Sequence, residues 1–325
     1  MTRSAEAIRP RFPNDARMID TGMLKRTPVP SVCSSTASTA TAAAKAGQRQ
    51  APRSRQRRRR AQKRSSDAIS SRLRGRRSRE PGIRGVASVS MSAELWVANL
   101  GRIPYADGVA IQDSLRAARQ ADAVPDLLLL LEHDPVYTKG RRSEPADLPM
   151  GEDWYRGQGI EVAETSRGGR VTYHGPGQLV GYPIVRVTDV LEYVRKLERA
   201  VIRAFAEERV EAEIRPGLTG VWVGERKIGS IGVHVSRGVT MHGLAVNVDC
   251  DLQPFEWIVP CGIDGVRMTS LYLETRRTGA MPCFRKRIAW HLAEQLGLRQ
   301  RIVSPERLLS AAEAAAADTP EAVPA

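Results

Sequence analysis

Asp126–Glu132 reads DLLLLLE, five consecutive leucines between two acidic residues. A strand with one wet face alternates apolar and polar side chains, whereas an unbroken apolar run of this length fits a strand covered on both faces. The sequence therefore predicts a sheet whose centre lies between layers of helix. Upstream, Leu95–Leu100 reads as another strand and Asp107–Ala121 as a helix with a polar face. Downstream, beyond a loop through Gly140 and Pro149, Ile160–Ala163, Gly169–Tyr173 and Leu179–Arg186 read as strands. Leu191, Val194, Leu197, Val201 and Phe205 recur every three or four residues, the spacing of one helix face, with Asp189 placed to cap it. Thr219–Val223, Lys227–Val235 and Thr240–Val248 are β-rich runs separated by Gly224–Arg226 and Ser236–Gly238, the pattern of an antiparallel meander. Phe284, Ile288, Leu292 and Leu296 define a second helix, and Pro305–Ala317 a third. The fold class is α/β in the α+β sense: one domain with a mixed, partly antiparallel sheet packed with helices.

The charge is unevenly placed. Residues 1–90 hold 22 Lys and Arg against 5 Asp and Glu, and residues 91–325 hold 28 against 31, so the net charge of +14 belongs to the front of the chain. That front segment is rich in Ser, Ala and Arg, peaks at Arg57–Arg60, and has few apolar clusters to offset chain entropy. Residues 1–90 therefore read as a disordered extension, 91–304 as the folded domain, and 305–325 as a terminal helix with a frayed tail after Asp318. An extension ahead of a start at Met91 is the preferred reading of the leader; a transit peptide and a nucleic-acid arm are the others. No apolar run approaches the roughly 20 residues of a membrane span, so no membrane partner is expected. Cys33, Cys250, Cys261 and Cys283 form no CxxC pair and no disulfide framework, and the five histidines show no HExxH. No metal is expected, and a reducing, cytoplasmic compartment fits, or an organelle if the leader is a transit peptide.

Three places carry candidate chemistry. Arg167–Gln178 reads RGGRVTYHGPGQ. Gly168 and Gly169 permit close approach of backbone to a ligand, Pro176 between Gly175 and Gly177 sets a turn, and Val171, Thr172 and Tyr173 deliver His174 at a strand end. A tight hairpin is the plainer alternative. The glycines open no helix, and no GxxxxGK[ST] occurs, which disfavours a phosphate cradle. Pro260-Cys261-Gly262 sets a thiol between a stiff residue and a small one, which suits an exposed nucleophile, although free cysteines are more often buried. Lys227 stands out because the chain has 7 Lys against 43 Arg. Only lysine of the two can give up its proton in a pocket, so Lys227 is a candidate acid or base; a surface lysine after a hairpin is the alternative. His174 is read as a pocket wall, and the spacing of His234 and His242 assigns them nothing.

With RGGRVTYHGPGQLVGYP, GVWVGERKIGSIGVHV, HGLAVNV and WIVPCGI in this order, residues 94–298 closely resemble the lipoyl(octanoyl) transferases, which belong with the biotin and lipoate protein ligases. The resemblance implies a mixed α/β catalytic domain with one acyl pocket. It implies Cys261 as acyl-thioester nucleophile and Lys227 as the residue that favours its thiolate and shuttles protons. It further implies substrate contacts from Arg167, Gly168, Gly169, Arg170, Val171, Thr172, Tyr173 and His174, from Ser230, Ile231 and Gly232, and from Gly243, Leu244 and Ala245. The leader and the Ala-rich tail lie outside the resemblance.

The activity so implied moves an octanoyl group from acyl carrier protein to a lysine of a lipoyl domain or glycine-cleavage carrier, without ATP and without a cofactor. Backbone N–H groups near Gly262 are candidates to hold the oxyanion. Two rivals stand beside it: an ATP-dependent lipoate or biotin ligase on the same scaffold, which needs no thiol, and a nucleic-acid-binding protein using the basic leader.

Overall fold

Leu128 and Leu130 point into one hydrophobic core and Leu127, Leu129 and Leu131 into another, all at most 2% exposed, as a doubly covered strand requires. The structure, a computed structural model, describes residues 93–263 and 265–317. The leader predicted to be disordered and the predicted frayed tail lie outside the described residues. In chain order the elements are β1 (Glu94–Ile103), α1 (Tyr105–Gln120), β2 (Asp126–His133), β3 (Val136–Lys139), α2 (Glu152–Gly157), β4 (Glu161–Glu164), β5 (Thr172–His174), β6 (Gln178–Ile184), α3 (Val190–Glu207), β7 (Glu213–Arg215), β8 (Leu218–Val223), β9 (Arg226–Ser236), β10 (Val239–Asn247), α4 (Gln253–Glu256), β11 (Arg267–Met268), α5 (Leu271–Thr275), α6 (Met281–Leu296), β12 (Arg299–Ile302) and α7 (Pro305–Ala317).

The main sheet runs β12-β1-β2-β6-β10-β9-β8-β7, with β11 added beside β9. β12, β1 and β2 are mutually parallel, and β2-β6-β10-β9-β8-β7 alternate in direction, so the sheet is mixed as predicted. Helices α3 and α6 cover one face, where the rings of Phe205 and Phe284 meet with centres 4.9 Å apart, tilted by 45°, and α1 and α7 cover the other. Loss of a fully buried contact such as Leu197→Ala costs about 2–5 kcal/mol, because a cavity remains. The predicted meander is β8-β9-β10. Its second turn, Arg237-Gly238, holds both residues at positive φ, 46° and 74°, the twist a two-residue hairpin needs. Asp189 caps α3 by accepting the Glu192 N–H at 3.0 Å.

Two expectations are corrected. The segments predicted at Ile160–Ala163 and Gly169–Tyr173 do not join the main sheet; they form a second, three-stranded sheet, β4-β3-β5, around its own core of Tyr137, Tyr155, Val171, Tyr173, Phe255 and Ile258. β5 starts at Thr172, since Gly169 at φ 89° breaks the extended run. Leu191, read as part of the packing face of α3, is 69% exposed, because the first turn of that helix overhangs the sheet; Tyr193 takes the buried place. β3, α2, β7, β11 and β12 were not legible in the sequence, being only 2 to 6 residues long each.

Candidate active site

The two sheets meet at a cavity of about 540 Å³, a usual size for a small-molecule site. Its walls come from the Arg167–Arg170 loop and β5 of the small sheet, from β8, β9 and β10 of the large one, from the overhanging turn of α3, and from the turn at Pro260–Gly262.

Lys227 and Cys261 come together there. Lys227 is 2% exposed, and its Nζ donates a hydrogen bond to Cys261 Sγ at 3.1 Å. Its Nζ also lies 5.5 Å from the centre of the Trp222 ring, a cation–π placement that helps hold an ammonium away from water. The surface-lysine alternative is thereby removed. A β-bulge aims the lysine. Consecutive Val221 and Trp222 of β8 face Gly229 and Lys227 of β9, so Ile228 is an extra residue. The bulge offsets the strict alternation of side chains and puts Lys227 on the face shared by Ser230 and Gly232 rather than on the α3 face.

Cys261 sits on a 3₁₀ turn at φ 60°, a left-handed conformation that is costly for a residue with a side chain. The turn is held in place by its neighbours. The Cys261 N–H donates to Val171 O at 2.9 Å, and the Val259 N–H to Asp147 O at 3.1 Å. Asp147 is fully buried and ion-pairs with Arg170 at 2.7 Å; a Cβ on Gly262 would run into that arginine side chain.

Also in the cavity wall, Arg167 is 8% exposed and folds around Thr138, giving its Nη2 to Thr138 O at 2.6 Å and Oγ1 at 2.8 Å, and Nη1 to Gly168 O at 3.0 Å. The Gly168 N–H donates to Val233 O at 3.0 Å, which fastens this loop to β9. His174 Nδ1 donates to Gln178 Oε1 at 2.7 Å, since Gln178 Nε2 is directed to Tyr173 O and Asn247 Oδ1. His174 Nε2 is left to accept from the Thr138 hydroxyl at 3.4 Å. Burial, followed by repulsion from His133, pushes the pKa of His174 down to about 3, so it is neutral at working pH. His242, likewise pushed down to about 3 by burial and by Arg167, also lines the cavity; His234 does not.

Of the substrate contacts implied above, Arg167, Gly168, Gly169, Arg170, Thr172, His174, Ser230, Ile231, Gly232, Gly243, Leu244 and Ala245 line the cavity. Val171 and Tyr173 are the correction. Strand alternation turns their side chains into the small-sheet core, so only the Val171 carbonyl serves the site. The sequence missed Tyr105, Tyr182 and Leu191 as cavity residues, and Thr138, fully buried behind Arg167, as their support. Tyr105, Thr138 and Leu191 belong to no glycine-marked motif, and Tyr182, although it follows Gly181 in RGGRVTYHGPGQLVGYP, carries no mark of facing the site; only the folded chain brings them near. Among the described residues no three His, Cys, Asp or Glu side chains are grouped to hold a metal.

A thiol bonded to a buried ammonium, beside a cavity walled by Ile231, Leu244, Ala245 and Leu191, suits the handling of acyl groups. Residues 104–293 match the lipoyl protein ligase A/B catalytic domain, and the chain belongs to that family. It is 53% identical over 168 residues to an octanoyltransferase of Solibacter usitatus, covering 50% of this chain and 76% of that one. It is 42% identical over 228 residues to an octanoyltransferase of Mycolicibacterium smegmatis, covering 67% and 96%. Among solved structures, lipoate-protein ligase A bound with ATP superposes with a TM-score of 0.53 at 17% identity, covering 70% of this chain and 96% of that one. A bi-partite lipoate protein ligase from Thermoplasma acidophilum gives 0.53 at 18%, covering 70% and 93%. These last two likenesses establish the fold. The chain is an acyltransferase of this family.

Proposed function

We propose that the protein transfers an octanoyl group from acyl carrier protein to a lysine of a lipoyl domain, through a thioester on Cys261. The observation that carries this reading is the 3.1 Å bond between Lys227 Nζ and Cys261 Sγ inside the cavity. The contact gives a negatively charged sulfur a cationic partner. Sγ attacks the carbonyl carbon of the octanoyl thioester, and the tetrahedral adduct collapses by expelling the donor's thiolate, which takes a proton from Lys227. The lysine, now a neutral amine, accepts the proton that the acceptor's amine loses as it attacks the acyl-enzyme. Cys261 leaves as thiolate, and the starting pair is restored. An amide replaces a thioester, so the sum is downhill without ATP. Such a nucleophile also favours a reducing compartment, and we place the protein in the cytoplasm; the same chemistry admits the glycine-cleavage carrier as an acceptor.

The test is incubation with octanoyl acyl carrier protein without ATP, followed by intact mass. An octanoyl adduct on the parent, absent from Cys261→Ala, is expected. No adduct on the parent would overturn the transferase reading, and an adduct persisting on Cys261→Ala would overturn the nucleophile. The ligase alternative predicts that Cys261→Ser keeps ATP-dependent transfer from free octanoate.

A further inference from the structure

Any acyl transfer at Cys261 places a negative charge on the carbonyl oxygen, and the usual holders are N–H groups of the nucleophile's own turn. Here those groups are occupied. The Cys261 N–H is bonded to Val171 O at 2.9 Å, the Gly262 N–H to Val259 O at 3.2 Å and the Ile263 N–H to Pro260 O at 3.2 Å. The expectation that N–H groups near Gly262 hold the oxyanion is therefore set aside.

The cavity is also lined by a cation that has no carboxylate partner among the described residues and feels instead the charge of the Cys261 sulfur. Arg167 is buried, and among the described residues no carboxylate lies within ion-pair distance of it, although Arg170, three residues on, has two such partners. Its Nε and Nη2 hydrogens are given to Thr138, and Nη1 gives one hydrogen to Gly168 O. A guanidinium carries five N–H donors, so one Nη1 hydrogen has no protein acceptor. The side chain packs closely on glycine backbone: a Cβ on Gly140 would come within 2.8 Å of Nη1, and one on Gly232 within 3.2 Å of Cδ. An unpaired buried charge is costly, which is a reason to look for the charge that arrives during turnover.

We propose that the guanidinium of Arg167 holds the substrate's carbonyl oxygen as it becomes an oxyanion, in both the formation and the breakdown of the acyl-enzyme, with Thr138 positioning it. The inference rests on the thioester reading above. When the Sγ–C bond forms, the carbonyl π pair moves to oxygen; when the adduct collapses, that pair returns and the C–S bond to the donor breaks. Lys227 alternates between ammonium and amine, so its charge is missing when the acceptor amine attacks. Arginine keeps its proton throughout, and is the residue type able to serve both steps unchanged.

The experiment compares two reactions of Cys261 in the full chain. Single-turnover acylation by octanoyl acyl carrier protein forms an oxyanion; alkylation by iodoacetamide, a displacement at a saturated carbon, does not. Arg167→Gln is expected to slow acylation about 10²–10³-fold, the usual loss on removing an oxyanion donor, while alkylation, which feels only the loss of a nearby positive charge, slows far less. Transfer from preformed acyl-enzyme to a lipoyl-domain lysine should slow comparably. Equal loss in acylation and alkylation would overturn the proposal, since Arg167 would then act only on the thiolate, and so would unimpaired acylation. If Arg167→Gln fails to fold, Thr138→Val, which keeps the guanidinium but removes its hydroxyl acceptor, carries the same contrast with a smaller loss; parallel loss there overturns it equally. A parent that is never acylated would sink the underlying reading instead.

Discussion

Gly220 lacks a side chain because Lys227 fills the space one would take. A Cβ at Gly220 would stand 2.7 Å from Lys227 Cε and 2.6 Å from Gly229 O, and its φ of 120° is itself closed to other residues. Gly220→Ala is thus expected to cost about 1–3 kcal/mol, the usual size of such backbone strain, and to move the ammonium off the thiol. Chemical denaturation measures the first effect and the rate of Cys261 alkylation the second. An alkylation rate equal to that of the parent would show that the lysine tolerates the intrusion.

Lys227→Arg should separate two duties. The charge remains, so alkylation of Cys261 stays within about tenfold of the parent, but arginine cannot take a proton at neutral pH, and transfer to the acceptor lysine drops by about 10²-fold or more. Full transfer in this variant would remove the proton-carrying role.

Three buried histidines should make stability acid-sensitive. Burial is the leading cause in each: His174 and His242 are pushed down to about 3 and His133 to about 4, from an ordinary 6.5. Below pH 6.5 the unfolded chain therefore takes up protons that the folded chain refuses. The stability contributed by the neutral rings is full above pH 6.5 and is lost as pH falls toward 3, by up to about 1.4 kcal/mol per ring per pH unit. Thermal melting between pH 7 and 4 checks the slope. His242→Asn should flatten it, because asparagine does not titrate and tolerates the φ of 57° at that position; an unchanged slope would exonerate His242.

Leu191, exposed and overhanging the cavity, should matter for substrate and little for folding. Leu191→Ser is expected to leave the melting temperature nearly unchanged while raising KM for the octanoyl donor several-fold, as about 1 kcal/mol of apolar contact is lost. Identical steady-state constants would place the acyl chain elsewhere.

Asp147→Ala is the converse case. It leaves Arg170, which is only partly buried, without its closest partner and so frees the arginine that packs against Gly262, while the Val259 N–H bond to the residue 147 carbonyl stays. A destabilisation of about 1–3 kcal/mol is expected from the lost charged bonds, with a larger fall in acylation than in Cys261→Ala-independent functions such as binding of the lipoyl domain. Acylation unaffected by this change would show that the turn stands without it.

What could be read from the sequence was whatever has a long period or a rare composition. DLLLLLE announced its two covered faces, α3 its stripe and cap, and the scarcity of lysine singled out Lys227. Single strands of four residues such as VYTK carry too little pattern, so the second sheet went unseen, and with it the inward turn of Val171 and Tyr173. Arg167 showed itself as part of a motif, but not as a buried cation without a carboxylate partner among the described residues: that depends on Thr138 and on elements remote in the chain.

The extra residue in β9 has a consequence for how the site can fail. Excising Ile228 would bring the strand back to plain alternation, and Lys227 would swing through the sheet to lie against α3. The other cavity side chains would stay in the chain while its amine was lost to the wrong side of a wall, so one missing residue that never touches the cavity would disarm the thiol.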